Sequence, residues 1–215
     1  MDDLKSNLKK TGTATVGIKC KEGIVLAADK RGVAGESYFI PLKGIRKIHL
    51  VADNIALTIA GIVSDAQMII KMMRAELKLK TIDTRRLPTV KEAANLFASL
   101  MYQKIRSFSP IPPLVSFIIA GKNSDGTFEL YEVGPDGSVS EFKNYVTTGA
   151  YGSIMGYGIL ENEWSENLTL EQARKLALKV IRTAIKRDAS VGEGIDVLEI
   201  SKEGLSEIKE EKVSD

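Results

Sequence analysis

Hydrophobic periodicity changes back and forth along this chain, and the order of those changes restricts its architecture more than any other feature. Thr13–Cys20 roughly alternates and Ile24–Ala28 runs apolar, with Lys21-Glu22-Gly23 between them as a turn, so this region reads as a hairpin. Further strands are expected at Arg46–Val51 and Ile55–Ala60. The period then becomes helical. Ala66, Ile69, Ile70, Met73 and Leu77 share one face, and Val90, Ala93, Ala94, Phe97, Leu100 and Met101 share another. Strands return at Leu114–Ala120, Phe128–Val133 and about Val139–Thr147, joined by the turns Ser124-Asp-Gly126 and Pro135-Asp-Gly137. A glycine-punctuated stretch from Gly149 to Gly158 leads into a third helix. Ala173, Leu176, Ala177, Val180, Ile181 and Ala184 mark a fourth, and Ile195–Ile200 forms a last strand. Ser64–Gln67, Thr89–Glu92 and Thr169–Gln172 each have the spacing of a capping box at a helix start.

Strands, a helix pair, strands, a second helix pair and a strand do not alternate as βαβ units do. They imply an α+β fold in which antiparallel sheets are covered by helices. The chain has 215 residues, enough for one domain with a substantial core, and no internal linker is visible. The first twelve residues are charged and polar and read as a leader, with a single domain over 13–215. They lack the apolar stretch of a signal peptide. The apolar run Ile55–Val63 stops at Ser64-Asp65, far short of the roughly 20 residues a membrane span needs. A cytoplasmic location is expected.

Composition narrows the chemistry. A net charge of +2 gives no basis for nucleic-acid or membrane binding. The sole cysteine, Cys20, excludes an internal disulfide, and with the sole histidine, His49, it cannot make a zinc site of three or four His/Cys ligands. A Ser-His-Asp or Cys-His mechanism would have to use His49. A hydrolase that does not use it must take its base from a lysine, a carboxylate or a free α-amine. Two polar residues break apolar patterns. Asp29 ends the run Ile24–Ala28, and Lys47 stands between Ile45 and Ile48. Pattern alone makes each an ordinary strand-end residue. If buried together, they would form a desolvated ammonium–carboxylate pair able to tune a nucleophile.

Five motifs in order carry a family resemblance. Gly12-Thr13-Ala-Thr-Val-Gly-Ile18 resembles the propeptide junction of 20S proteasome β-subunits. Leu26-Ala-Ala-Asp-Lys-Arg31, with Ala34-Gly35, resembles the motif that follows in that family. Thr58-Ile-Ala-Gly-Ile-Val-Ser-Asp-Ala-Gln67 is similar to its oxyanion loop and first helix. Tyr157-Gly-Ile-Leu-Glu161 and Lys186-Arg-Asp188, with Gly192, are similar to two later motifs. The archaeal type fits best in length and plain termini.

The resemblance implies a four-layer αββα sandwich of two antiparallel sheets, the fold of N-terminal-nucleophile hydrolases. It implies that Gly12–Thr13 is cut, that Thr13 is the nucleophile and that the freed α-amine is its proton acceptor. Asp29 and Lys47 would form the charged pair beside Thr13 Oγ, Gly61 N–H would donate to the oxyanion, and Ser153 and Asp188 would complete the network around the amine. Ile45, Ile59 and Val63 would line the first specificity pocket, favouring cleavage after apolar residues. No cofactor or metal is implied. The implied partners are α-subunits and other β-subunits in stacked heptameric rings, unfolded polypeptide substrates, and a regulatory ATPase acting through the α-ring, with no nucleic acid and no membrane. A free α-amine titrates at ~7.7–8.0, so it can accept a proton near neutrality without a histidine. Val33 replaces a usual threonine, Val191 a usual serine, and Ala150-Tyr151 alters the run before Ser153. These departures leave a second reading open, a catalytically silent ring subunit beside an active β-subunit. A third is a non-proteasomal amidase of the same nucleophile class.

Overall fold

β1 (Ala14–Cys20) and β2 (Gly23–Asp29) form the expected hairpin, with Cys20 opposite Gly23 across the turn. The computed structural model describes residues 12–34, 39–109, 114–149 and 151–209, so the leader assigned to 1–12 lies outside the described residues except for Gly12. After β3 (Arg31–Ala34) and β4 (Phe39–Lys43) come β5 (Ile48–Ala52) and β6 (Ile55–Gly61). Helices α1 (Val63–Thr84) and α2 (Val90–Arg106) follow. The second half runs β7 (Val115–Lys122), β8 (Phe128–Val133), β9 (Val139–Phe142) and β10 (Tyr145–Gly149). It continues with α3 (Tyr151–Glu163), α4 (Leu170–Arg187), β11 (Ile195–Ser201) and β12 (Gly204–Lys209).

Two five-stranded antiparallel sheets result, ordered β10-β1-β2-β11-β12 and β5-β6-β7-β8-β9, with β3-β4 as a separate ribbon. Period-two strands explain why both faces of each sheet are filled. In β2, Ile24, Leu26 and Ala28 face one core, while Val25 and Ala27 face another. The shared central core, with Ile118, Ala120, Leu130 and Leu198, joins sheet to sheet. The outer faces pack against helices. Leu57, Phe97, Met101 and Phe117 belong to the core under α1 and α2, and Val16, Ala177, Ile181 and Val197 to the core under α3 and α4. Three apolar layers between four structural layers make the αββα sandwich. No helix among the described residues is long and apolar enough to cross a membrane.

Local chemistry sets most boundaries. Thr89 and Thr169 close the expected capping boxes, each accepting from the backbone N–H three residues on while Glu92 or Gln172 reaches back. The expected box at Ser64 does not form. α1 begins at Val63 with Ile62 as its N-cap and no side-chain cap, because Ser64 already lies within the first turn. The expected strand at Val139–Thr147 is two strands. Lys143-Asn144 breaks it, so β9 belongs to one sheet and β10 to the other. Three strands also stand where the sequence reading places none: β3, β4 and β12. β3 and β4 are short, contain Gly32 and Pro41, and lack alternation. β12 is an edge strand paired with β11, and its Glu207 pairs with Arg46 from the neighbouring segment.

Candidate active site

Thr13 lies beside a buried ion pair. β1 starts immediately after it and is flanked by β2 and β10, which fixes Thr13 at one end of the sheet. Asp29 ends β2 at that same end, and Thr15 faces Ala28 across the ladder. Lys47 precedes β5, and its carbonyl accepts from Ile59 N in β6 at 3.0 Å. Three strands thus deliver three polar groups to one place. Thr13 is 4% exposed, Asp29 0% and Lys47 4%.

Lys47 Nζ donates to Asp29 Oδ1 at 2.6 Å and to Thr13 Oγ1 at 3.2 Å. The Thr13 hydroxyl donates to the carbonyl oxygen of Gly12 at 2.5 Å. The Asp29 carboxylate is fully engaged. Oδ1 also accepts from Ala14 N at 3.0 Å, while Oδ2 accepts from Arg31 N at 3.0 Å and Gly192 N at 3.1 Å. Burial pulls the Lys47 ammonium below the ordinary lysine range, and the Asp29 charge and hydrogen bond oppose that pull. The pair is therefore the buried ammonium–carboxylate arrangement that pattern alone could not establish.

Asp188 caps the C-terminal end of α4. Its Oδ1 accepts from the backbone and hydroxyl of Ser190, and its Oδ2 is buried with no hydrogen-bond partner among the described residues. Asp188 is among the charges that favour the protonated Lys47. The adjoining loop is braced by Arg31, whose Nη1 donates to Ala189 O at 2.7 Å and whose Nη2 pairs with Glu193. The sequence reading did not single out Arg31's side chain or Ser190. Val191 is buried within the apolar core under α3 and α4.

Gly61 ends β6 with φ +137°, a conformation open to glycine. A Cβ there would also run into the Leu114 carbonyl and stand 2.7 Å from Val115 Cα. Gly61 sits two residues beyond Ile59, the residue bonded to Lys47, and just before the uncapped start of α1. Free first-turn N–H groups and the helix dipole favour negative charge there. Gly61→Ala is expected to destabilise the protein by about 1–3 kcal/mol through backbone strain alone, readable as a lower midpoint in urea denaturation; an unchanged midpoint would show that the strand end relaxes freely.

The remaining expected residues are placed less tightly. Ser153 falls in the first turn of α3, but its side chain lies outside the described residues. Ile45 and Val63 are partly exposed, and Ile59 is buried in the core under α1 and α2. Ile45 N donates to Lys30 O at 2.9 Å, which keeps this segment against the end of β2. Among the described residues no group of three or more His, Cys, Asp or Glu side chains is placed to hold a metal ion.

Paired antiparallel sheets between helix layers, with a threonine hydroxyl held by a buried Lys–Asp pair at the start of a central strand, define the class of N-terminal-nucleophile hydrolase folds. Comparison with known proteins gives the narrower assignment. The proteasome subunit family matches residues 9–200. A proteasome subunit beta of Methanopyrus kandleri is 39% identical over 203 residues, covering 94% of this chain and 93% of its own. One from Archaeoglobus fulgidus is 38% identical, covering 94% of this chain and 91% of its own. A proteasome subunit beta 1 of Hyperthermus butylicus is 39% identical, covering 95% and 96%. The chain belongs to the proteasome subunit family, among the archaeal β-subunits.

Proposed function

We propose that this chain is a threonine endopeptidase of the proteasome core, with Thr13 as nucleophile after removal of residues 1–12 and 13–215 as the mature domain. The observation that carries this reading is the Thr13 hydroxyl, held 3.2 Å from the Lys47 ammonium and 2.5 Å from the carbonyl oxygen of the residue before it. Lys47 stabilises an alkoxide at Oγ, and Asp29 keeps that ammonium charged and aimed. In the leader reaction Thr13 Oγ attacks the Gly12 carbonyl carbon. The Gly12–Thr13 C–N bond breaks, an ester forms on Oγ, and the nitrogen takes the hydroxyl proton. Water then hydrolyses the ester, releasing the Gly12 carboxylate and regenerating the hydroxyl beside a free α-amine.

That amine is the base for the second reaction. It takes the Oγ proton as Oγ attacks a peptide carbonyl, and it returns the proton to the departing amine. Gly61 N–H, at the end of β6 just before α1, stabilises the tetrahedral oxyanion. Asp188 and Ser153 hold the amine. Ile45, Ile59 and Val63 shape the first specificity pocket for apolar side chains. The chain works in rings with α-subunits and other β-subunits, on unfolded polypeptides delivered through the α-ring by a regulatory ATPase in the cytoplasm.

The apolar burial of Val191, where the family usually carries serine, favours a second reading, a silent subunit that contributes surface rather than chemistry. Mass spectrometry of the core particle assembled from co-expressed α and β chains separates the two. A chain beginning at Thr13 is the expected result. Retention of Met1–Gly12 in a fully assembled particle would establish the silent role.

A further inference from the structure

Ser190 stands against the residue that the leader reaction removes. The side chain of Ser190 fills the space where a Cβ of residue 12 would go, and the Ser190 carbonyl oxygen lies 2.7 Å from that same point. Glycine at position 12 is thus required by this contact as well as by the approach of the Thr13 hydroxyl. Ser190 is 5% exposed and Asp188 9%, so the contact is a packed interior one. The Ser190 hydroxyl gives its proton to Asp188 Oδ1, which leaves the oxygen's lone pairs free to accept. The turn that presents it is fixed by Ser190 N donating to Asp188 Oδ1 at 2.9 Å and Val191 N donating to Asp188 O at 3.0 Å. Val191, one residue on, points into the apolar core and offers no hydroxyl.

Building on the nucleophile reading of Thr13, we propose that Ser190 is the positioning residue of the proton acceptor in this chain. Before cleavage its side chain seats Gly12. After cleavage Gly12 departs, and the new α-amine of Thr13 is left beside the Ser190 oxygen. An N–H of the amine donates to that oxygen, which turns the nitrogen lone pair toward Thr13 Oγ. Ser190, polarised by Asp188, supplies here the hydroxyl that the buried Val191 cannot. The charged groups around Thr13 are Lys47, which donates to its hydroxyl, and Asp29, which holds Lys47; Asp188 acts on Lys47 through its charge and holds Ser190, and Arg31 holds the 189–193 loop through Ala189 O and Glu193.

The test is Ser190→Ala in the assembled core particle, compared with wild type for the chain's N-terminus, kcat, KM and the acid limb of kcat/KM against pH. Alanine keeps the Cβ against Gly12, so the leader is still removed. Loss of one hydrogen bond to a charged or charging amine lowers kcat about tenfold or more with KM unchanged. Without the oxygen the ammonium form loses an acceptor and gives up its proton more readily, so the acid limb moves to lower pH. If the alanine variant does not assemble, Ser190→Cys, nearly isosteric and a weaker acceptor, is expected to shift the limb the same way. Thr13-dependent hydrolysis with an unmoved or raised acid limb overturns the role of Ser190 alone. Absence of Thr13-dependent hydrolysis in wild type overturns the nucleophile reading, and this role with it.

Discussion

Thr13→Ala leaves the leader attached and lowers peptide hydrolysis roughly 10⁴-fold or more, the scale on which enzymes lose rate when a nucleophile is deleted. Alanine removes the oxygen that meets both Lys47 Nζ and the Gly12 carbonyl oxygen, while Cβ and the backbone pairing of β1 remain. The fold should therefore survive, with an unfolding midpoint close to wild type. The measurements are the N-terminal mass of the assembled chain and the turnover of a fluorogenic peptide ending in an apolar residue. Hydrolysis persisting at more than a few per cent of wild type, in a particle with no other β-subunit, would place the nucleophile elsewhere.

Asp29→Ala has a different signature, because Asp29 serves the fold as well as the site. Its carboxylate is fully buried and accepts from Ala14 N, Arg31 N, Gly192 N and Lys47 Nζ. Removing it strands a buried ammonium and three N–H groups. Breaking one side of such a pair costs about 3–5 kcal/mol, a large share of the roughly 5–15 kcal/mol that holds an ordinary domain together. Urea denaturation should show that loss, and turnover should fall to background. Pairing Asp29→Leu with Lys47→Met removes both charges, and that double variant should be more stable than Asp29→Ala while remaining inactive. Equal stability of the single and double variants would mean that the stranded ammonium is not what destabilises the single one.

Much of this arrangement is legible in the sequence. The change of period between strand blocks and helix pairs points to antiparallel strands covered by four helices, while the two-sheet sandwich is what the family resemblance implies. Thr89 and Thr169 announced their helices because a capping box is a local device. The failure at Ser64 is equally local. The helix takes up its first turn two residues early, and nothing in four residues of sequence decides which of Ile62 and Ser64 is the cap. β9 and β10 read as one run because the break at Lys143-Asn144 is a change of sheet, which only long-range pairing reveals. β12 was missed because an edge strand carries charges on its open side and so lacks a buried stripe.

At the site, the types of residue were readable and their meeting was not. Asp29 and Lys47 stood out as polar residues in apolar surroundings, but their pairing follows from Lys47 binding back to Ile59 across the sheet. Ser190 carried no signal at all. Its role depends on a turn at the end of α4 that brings a late segment against the residue before β1. Arg31 was visible as part of a motif, whereas its grip on Ala189 and Glu193 belongs to the folded chain.

The four donors that converge on Asp29 come from positions 14, 31, 47 and 192, so this acceptor is satisfied only when early and late parts of the polypeptide have met. A nascent chain that has not yet reached residue 192 has no Gly192 amide to offer Asp29, and one that has not reached residue 190 has no Ser190 to pack against Gly12. On the proposed reading of Thr13, cleavage ahead of it therefore waits for long-range closure of the fold, so that the nucleophile is exposed only in a chain whose early and late segments have already met.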